Sequence, residues 1–449
     1  MGQRVTESNI SYRLPPAWLR AVPIAAFVAL LGLTVWVGIR NDIAKIEGAK
    51  EFFTVTGNVA GLLAAMLIML QFAVSARIKL LDRAFALDRM FRFHKVMGAA
   101  AVCLAALHPT LLYGTGVIDE FAEAGLAWAE GVGALALVVL AVIVCTSLWR
   151  IFLGLSFETW RGIHQLTFVA VVVVTVHSQI LGRGVNSGWP RYFWLTVVAL
   201  CAATFVWVKI IKPRRLWRRA FVVADVTQVN YNTCNLTLEP RKGEAFDYMP
   251  GQFAFITLKR QGMRTEEHHF TLSSSPARKD AITFTIKNSG DFTATMSQTK
   301  AGDTAMIDGP YGHFSHAPHP MGDLVMIAGG IGITPLLSML RYMADTGDRR
   351  SIVLIWGNRS EKDVVFRGEI DALPARLNLR VHHVLSNQPD WPGEKGKVDD
   401  ALLGRLLTEK DRKARVFLCG PPIMMKLVSA SLRRLGFPAK RIHTERFAL

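Results

Sequence analysis

The chain has 449 residues, of which 51% are hydrophobic, and a formal net charge of +17. Its mean hydropathy of +0.27 is high for a soluble protein and moderate for a purely membrane-embedded one, which suggests a membrane half joined to a soluble half, with length enough for about three domains at ~150 residues each. The basic surplus does not indicate nucleic acid, because its densest runs flank apolar segments where lipid headgroups and the positive-inside rule account for them.

Residues 1–19 read as a polar cytoplasmic tail without a cleavable signal pattern. Residues 20–212 read as a membrane domain of six spans: Ala21–Ile39, Phe53–Ala76, His94–Tyr113, Val132–Phe152, Ile163–Leu181 and Tyr192–Ile211. Each has about 20 residues, enough to cross ~30 Å of hydrocarbon as a helix. The connection after span two holds Arg77, Lys79, Arg83, Arg89 and Arg92. The connection after span three holds Asp119, Glu120, Glu123 and Glu130 and no Lys or Arg. Lys212, Arg214, Arg215, Arg218 and Arg219 follow span six. This bias predicts a multi-pass protein of the cytoplasmic membrane with both termini in the cytoplasm, although Arg183 and Arg191 run against it.

Span three carries His94 and His108, and span five carries His164 and His177. An ionisable side chain in hydrocarbon is read first as functional. Both spans run from inside to outside, so His94 and His164 lie near the cytoplasm and His108 and His177 about 20 Å further out, at 1.5 Å per residue. Any one of them has a plainer explanation: His94 and His164 as interfacial neighbours of Arg92 and Arg161, and His108 as a partner for a carbonyl freed by Pro109. Four at matched depths on parallel helices predict two stacked b-type haems, His94 with His164 and His108 with His177 as metal ligands. Arg77, Arg92 and Arg161 at the inner rim suit haem propionates or simply follow the positive-inside rule. The fourteen-residue step in span three keeps its histidines on one face. The thirteen-residue step in span five misses by about half a turn, so that span is locally rewound or presents its histidines from different sides.

From about Trp217 the pattern changes to short alternating runs, Ala220–Thr227, Cys234–Glu239, Gln252–Lys259, Ile282–Ile286 and Thr304–Ile307, with turn residues between them. They predict a small antiparallel β-barrel over 216–319. Within it stand His268-His269-Phe270-Thr271-Leu272-Ser273-Ser274-Ser275-Pro276 and Ile286-Lys287-Asn288-Ser289-Gly290-Asp291-Phe292-Thr293. Lys287 offers a cation, and the turn from Gly290 offers N–H groups to an anion. Over 320–449 strands and helices alternate, which predicts an open α/β domain with a parallel sheet. Gly329-Gly330-Ile331-Gly332-Ile333-Thr334-Pro335 links a buried strand to the helix Leu336–Ala344, a turn that lets a dinucleotide's pyrophosphate approach a helix N-terminus. Further strands are expected at Ser351–Asn358, Leu379–Leu385 and Val416–Cys419, the last running into Gly420-Pro421-Pro422. Arg359, after the second of these, suits a 2′-phosphate and so NADPH, or is simply an exposed arginine. The five cysteines, Cys103, Cys145, Cys201, Cys234 and Cys419, form no metal spacing or disulfide framework.

From about Phe53 onward these motifs resemble the flavocytochrome b-type ferric reductases and NADPH oxidases, whose soluble half belongs to the ferredoxin–NADP reductase superfamily. The resemblance implies an oxidoreductase with FAD, two haem b groups and NADPH or NADH. It implies FAD contacts from His268, Phe270, Thr271, Leu272 and Ser273, with the Thr271 hydroxyl reaching the flavin's reactive nitrogen and Phe270 lying along the ring. The family usually has proline where this chain has His269. The resemblance further implies a pyrophosphate loop of Lys287, Gly290, Asp291, Phe292 and Thr293. Gly329, Gly330, Gly332, Thr334, Pro335, Arg359, Gly420 and Pro421 fall to the nicotinamide nucleotide, with Cys419 beside the point of hydride transfer. Phe447 matches a terminal aromatic that covers the flavin, here followed by Ala448 and Leu449. Electrons are expected to pass outward to dioxygen, giving superoxide, or to a ferric chelate, giving ferrous iron. Animal-type NADPH oxidases carry an arginine in span two near the outer haem, whereas residues 52–76 contain no Lys, Arg or His; Arg183 or Arg191 are substitutes from the outer loop. Two alternatives stay open: an electron-donor subunit serving a partner protein at the outer face, and a haem-free membrane anchor for a flavin reductase.

Overall fold

The computed structural model describes residues 16–182 and 184–446. The tail up to residue 15, Arg183 and Phe447 therefore lie outside the described residues. Two compact units appear, one over 16–213 and the other over 214–446.

The first unit is helical: α1 Trp18–Ile39, α2 Ala49–Ser75, α3 Lys79–Phe85, α4 Leu87–Leu112, α5 Val117–Glu123, α6 Ala127–Leu148, α7 Phe157–His164, α8 Thr167–Leu181, α9 Gly188–Val206 and α10 Lys212–Arg218. Among the described residues six helical stretches are long and apolar enough to cross a membrane: α1, α2, α4, α6, α7 with α8, and α9 with α10. The chain is a multi-pass membrane protein. In α2 56% of the apolar window is buried, against 11–17% in the other five, so α2 is the axis of the bundle and the others show their Leu, Val and Ile side chains outward.

Several span boundaries differ from the hydropathy reading, span five starting at Phe157 and span six running from Gly188 to Arg218. Span three starts at Leu87 rather than His94, because buried Leu87 and Met90 anchor a first turn whose exposed face holds Arg89 and Arg92. Span four starts at Ala127 and ends at Leu148, leaving Ile151 and Phe152 in the turn that follows. Span five is rewound. It breaks at Gln165–Leu166, where the Leu166 N–H donates to the Ile163 carbonyl (3.0 Å) and the Phe168 N–H to the Gln165 carbonyl (3.1 Å). Such i→i−3 bonds overwind the chain relative to an α-helix.

In the second unit β1 Phe221–Asn230, β2 Thr233–Pro240, β3 Phe253–Lys259, β4 Glu267–Thr271, β5 Ile282–Lys287 and β6 Thr304–Tyr311 form an antiparallel sheet in the order β4-β3-β6-β1-β2-β5. Leu236, Leu238, Ile256, Leu258, Ile282 and Phe284 fill its core. The two edges meet through one bridge, Leu272 with Phe284, rather than a continuous ladder. β4 escaped the alternation argument because His268-His269 breaks the apolar pattern. As an edge strand β4 tolerates proline or histidine at position 269; here His269 pairs with Phe255. The short helix α11 Asp291–Ala294 follows β5.

The remainder is β7 Leu324–Gly329, α12 Ile333–Thr346, β8 Ile352–Asn358, α13 Arg367–Ala372, β9 Leu379–Leu385, β10 Glu394–Lys395, α14 Asp400–Leu406, β11 Arg415–Cys419, α15 Pro422–Arg434 and β12 Ile442–Glu445. The strands are parallel, in the order β10-β9-β8-β7-β11-β12. Leu324, Met326 and Ala328 face the α12 layer, and Val325 and Ile327 face α14 and α15. Burial on both faces explains the unbroken apolar run of β7. The strand order reverses between β7 and β11, so the crevice that open α/β sheets use for ligands lies at their C-terminal ends, Gly329 and Cys419.

Candidate functional site

The four membrane histidines meet as two pairs. The rings of His94 and His164 have centroids 5.9 Å apart at 61°, and those of His108 and His177 are 6.2 Å apart at 81°. The rewinding after His164 is what brings a thirteen-residue step into line with a fourteen-residue one.

Each ring of the His108–His177 pair is held from behind. The Nδ1–H of His108 donates to the Gly57 carbonyl (2.8 Å), and that of His177 to the Ala129 carbonyl (2.9 Å). A carbonyl only accepts, so both rings keep the proton on Nδ1 and the lone pair on Nε2, the tautomer needed for ligation. Glycines make the room. A Cβ at Gly61 would stand 2.9 Å from the His108 ring, and one at Gly133 2.7 Å from the His177 ring. Between the rings opens a cavity of about 410 Å³, walled by small and apolar residues with Asn58, Glu130 and Ser178 as its other polar members. The His94–His164 pair is built differently. Both Nδ1 atoms are buried without a hydrogen-bond partner, and Trp160 packs against His164 at 5.3 Å.

In the second unit the two flavin-type motifs converge. The His268 ring stacks on Phe292 at 3.8 Å, and Phe270 lies parallel to the same ring at 6.2 Å. The Arg260 guanidinium sits 5.2 Å from the Phe292 ring centroid, held by Thr295 and Thr299. Leu272 and Ser273 turn into the sheet core, where the Ser273 hydroxyl donates to the Thr283 carbonyl (3.0 Å). Thr271 is buried at the end of β4. In the phosphate-type loop the Thr293 hydroxyl accepts the N–H groups of Ser289 (2.8 Å) and Gly290 (2.9 Å), which leaves that loop closed on itself, with Gly290 and Asp291 exposed and Lys287 half-buried.

At the β7–β11 crevice the glycine turn and the Cys-Gly-Pro stretch touch. A Cβ at Gly332 would lie 2.4 Å from the Cys419 carbonyl oxygen, and one at Gly329 2.7 Å from the Pro421 ring. Only glycine permits this approach. Cys419 is fully buried, and burial, with Glu445 adding to it, pushes its thiol well above the usual range. Thr334 and Pro335 are buried in the first turn of α12. Arg359 is exposed beyond β8.

A family model described as ferric reductase like transmembrane component matches residues 60–175, an FAD-binding domain matches 218–315, and an oxidoreductase NAD-binding domain matches 326–430. The chain belongs to the ferric reductase-like family of FAD- and NAD(P)-binding oxidoreductases. It is 30% identical over 227 residues to the stachydrine N-demethylase reductase subunit Stc4 of Rhizobium meliloti, across 48% of this chain and 63% of that subunit. It is 31% identical to the sulfhydrogenase 1 subunit gamma of Pyrococcus furiosus, across 45% of this chain and 70% of that subunit. The FAD/NAD-binding domain of nitric oxide dioxygenase from Vibrio cholerae is similar over 51% of this chain and 98% of that domain, at 24% identity and a TM-score of 0.47. The chain spans less than two thirds of the Stc4 subunit it matches.

Several residues of this ferric reductase-like enzyme have no place in the sequence reading. Gly57 and Gly61 form a Gly-x-x-x-Gly step, a pattern of close helix contact that was visible in span two. Arg341 donates to the Ser273 carbonyl (2.8 Å) and pairs with Glu369, and Ser338 donates to the Ser274 carbonyl (2.8 Å), so α12 docks directly on the flavin-type motif. Asn358 ends β8 with both amide atoms buried and without partners. No local pattern marks Arg341 or Ser338, because their contacts are long-range.

Proposed function

We propose that this oxidoreductase carries electrons from cytoplasmic NAD(P)H through FAD and two b-type haems to an acceptor on the far side of the membrane, either dioxygen or a ferric chelate. The observation that carries the reading is the facing of His94 with His164 and of His108 with His177, the donor set that six-coordinate haem iron takes. The positive-inside bias supports both termini in the cytoplasm of a cell with an inner membrane. The reading divides the chain into a haem domain (20–212), an FAD barrel closed through the Leu272–Phe284 bridge (216–319) and an NAD(P) domain (320–449).

FAD when bound turns a two-electron hydride donor into single-electron traffic, and haem iron carries single electrons. The residues bind and orient. Gly57 and Ala129 fix the tautomers of His108 and His177, and Gly61 and Gly133 leave space for their rings. Phe270 and Thr271 would contact the flavin, with His268 braced on Phe292. Lys287 and the Gly290–Thr293 turn would hold its pyrophosphate, for which the Ser289 and Gly290 N–H groups would have to leave the Thr293 hydroxyl. Gly329, Gly330 and Gly332 would let the nicotinamide nucleotide come close to the backbone at Gly420 and Pro421. Cys419, kept as a neutral thiol, would adjoin the nicotinamide, Arg359 would meet a 2′-phosphate if NADPH is the donor, and Phe447, which lies outside the described residues, is assigned to covering the flavin by the family resemblance alone.

Purified protein is expected to oxidise NADPH with oxygen or ferric chelate as sole acceptor, superoxide dismutase sensitivity telling the two apart. A second reading, an electron-donor subunit for a partner protein, is favoured by relatives named as reductase subunits, Stc4 among them. Turnover only after a partner is added would favour it.

A further inference from the structure

We infer that Gln71 is the positioning residue of His94: in the haem-loaded protein its Oε1 accepts the His94 Nδ1–H, as the Gly57 carbonyl accepts that of His108. The inference rests on the haem ligation proposed above and concerns the His94–His164 pair alone.

Gln71 stands in the last turn of α2, is only 6% exposed, and has neither its Oε1 nor its Nε2 in a hydrogen bond. The His94 Nδ1 is buried and unpartnered as well. An amide and an imidazole left unsatisfied in an apolar bundle are costly, and each is the partner the other lacks. The register of the two helices brings them to one level. α2 and α4 are antiparallel, since Gly57, early in α2, meets His108 and Leu112 at the end of α4. Gln71 is fourteen residues after Gly57, and His94 is fourteen before His108. Fourteen residues make close to four turns and rise ~21 Å, so both steps return to the contact face at the same height. The residues at matching steps between them, Ala64 with Ala101 and Ile68 with Met97, are all buried, as a continuous helix contact requires. Chemistry then selects the oxygen of the amide. A ligand imidazole needs its lone pair on Nε2 and its proton on Nδ1, and only an acceptor holds that tautomer. Accepting the Nδ1–H also raises the basicity of the ring, which favours the ferric state of a bound iron.

The test uses the purified, haem-loaded full chain with Gln71→Leu, which removes the acceptor, and Gln71→Glu, which keeps one. Each is combined with His177→Ala, which retains the His94–His164 haem, and with His164→Ala, which retains the other. In a spectroelectrochemical titration Gln71→Leu should make the His94–His164 haem about tenfold easier to reduce, ~59 mV for one electron, and leave the other haem unmoved. Gln71→Glu should stay at or below the unsubstituted potential. Haem lost from Gln71→Leu but kept by Gln71→Glu would support the same role. Ligand rescue then assigns the ring. In His94→Gly, added imidazole has an N–H to donate and should bind better than 1-methylimidazole, by about threefold or more. Gln71→Leu should remove that advantage in His94→Gly and not in His164→Gly. An unmoved potential, an equal shift of both haems, haem lost from both Gln71 variants, or an advantage that survives Gln71→Leu in His94→Gly would overturn the inference while leaving the electron route standing. A wild-type spectrum without haem bands overturns the route itself and the inference with it.

Discussion

The two histidine pairs of the bundle are made of the same kind of side chain in two different settings. The His108–His177 pair is fastened by two backbone carbonyls and seated against two glycines. The His94–His164 pair has neither support, its Nδ1 atoms being buried and unpartnered, and it sits at the break between α7 and α8. One pair is thus preorganised by the backbone, and the other is left to side-chain packing. A fixed ring keeps its tautomer and aim with no ligand present, so the His108–His177 pair is the less forgiving of change.

The largest effect is expected from His177→Ala. It should abolish haem at the far pair and stop acceptor reduction while NAD(P)H still bleaches the flavin; full-rate reduction of the acceptor by this variant would break the scheme. Glycine changes sharpen the contrast. Gly61→Ala and Gly133→Ala push a Cβ to within 3 Å of a histidine ring, and overpacking of this kind costs about 1–3 kcal/mol. Each should reduce haem content at the far pair and broaden its spectrum. Gly98→Ala and Gly162→Ala, near the other pair, meet nothing within 4 Å and should be silent. Equal losses from all four would erase the distinction.

A buried imidazole with an unpartnered Nδ1 also occurs in the second unit, at His316, where titration can be followed. Burial, then the neighbouring Arg350, lowers it from 6.5 to about 3. The unfolded chain therefore takes up this proton first as pH falls through 6.5, and stability is lost from there down toward pH 3, at ~1.4 kcal/mol per pH unit. Thermal release of flavin fluorescence between pH 7 and 5 should show the loss, and His316→Gln should flatten the slope. The smallest effect is expected from inserting one alanine between Gln165 and Leu166. It gives span five the fourteen-residue step of span three and removes the need for overwinding, so both pairs should still load haem. Loss of the His94–His164 haem would mean that the break itself shapes that end.

The legible features were those with a local period. Six apolar stretches, four histidines at matched depths and a glycine turn after a buried strand can all be read along the chain. The helix starts at Leu87 and Ala127 were hidden by charged first turns, Asp88 and Arg89 in one and Glu130 in the other. β4, β10 and β12 are short and lie at sheet edges, where no apolar alternation is required. The carbonyl anchors could not be read at all. Gly57 lies 51 residues from His108 and Ala129 lies 48 from His177, and a backbone oxygen carries no side-chain signature. The overwound turn after His164 stood as one of two alternatives that hydropathy does not separate.

Haem stoichiometry tests the central claim most directly. A pyridine haemochrome assay on the purified chain, with His164→Ala and His177→Ala beside it, should find two b-type haems in the wild type and one in each variant. A wild-type chain with none, or variants that retain both, would contradict the account.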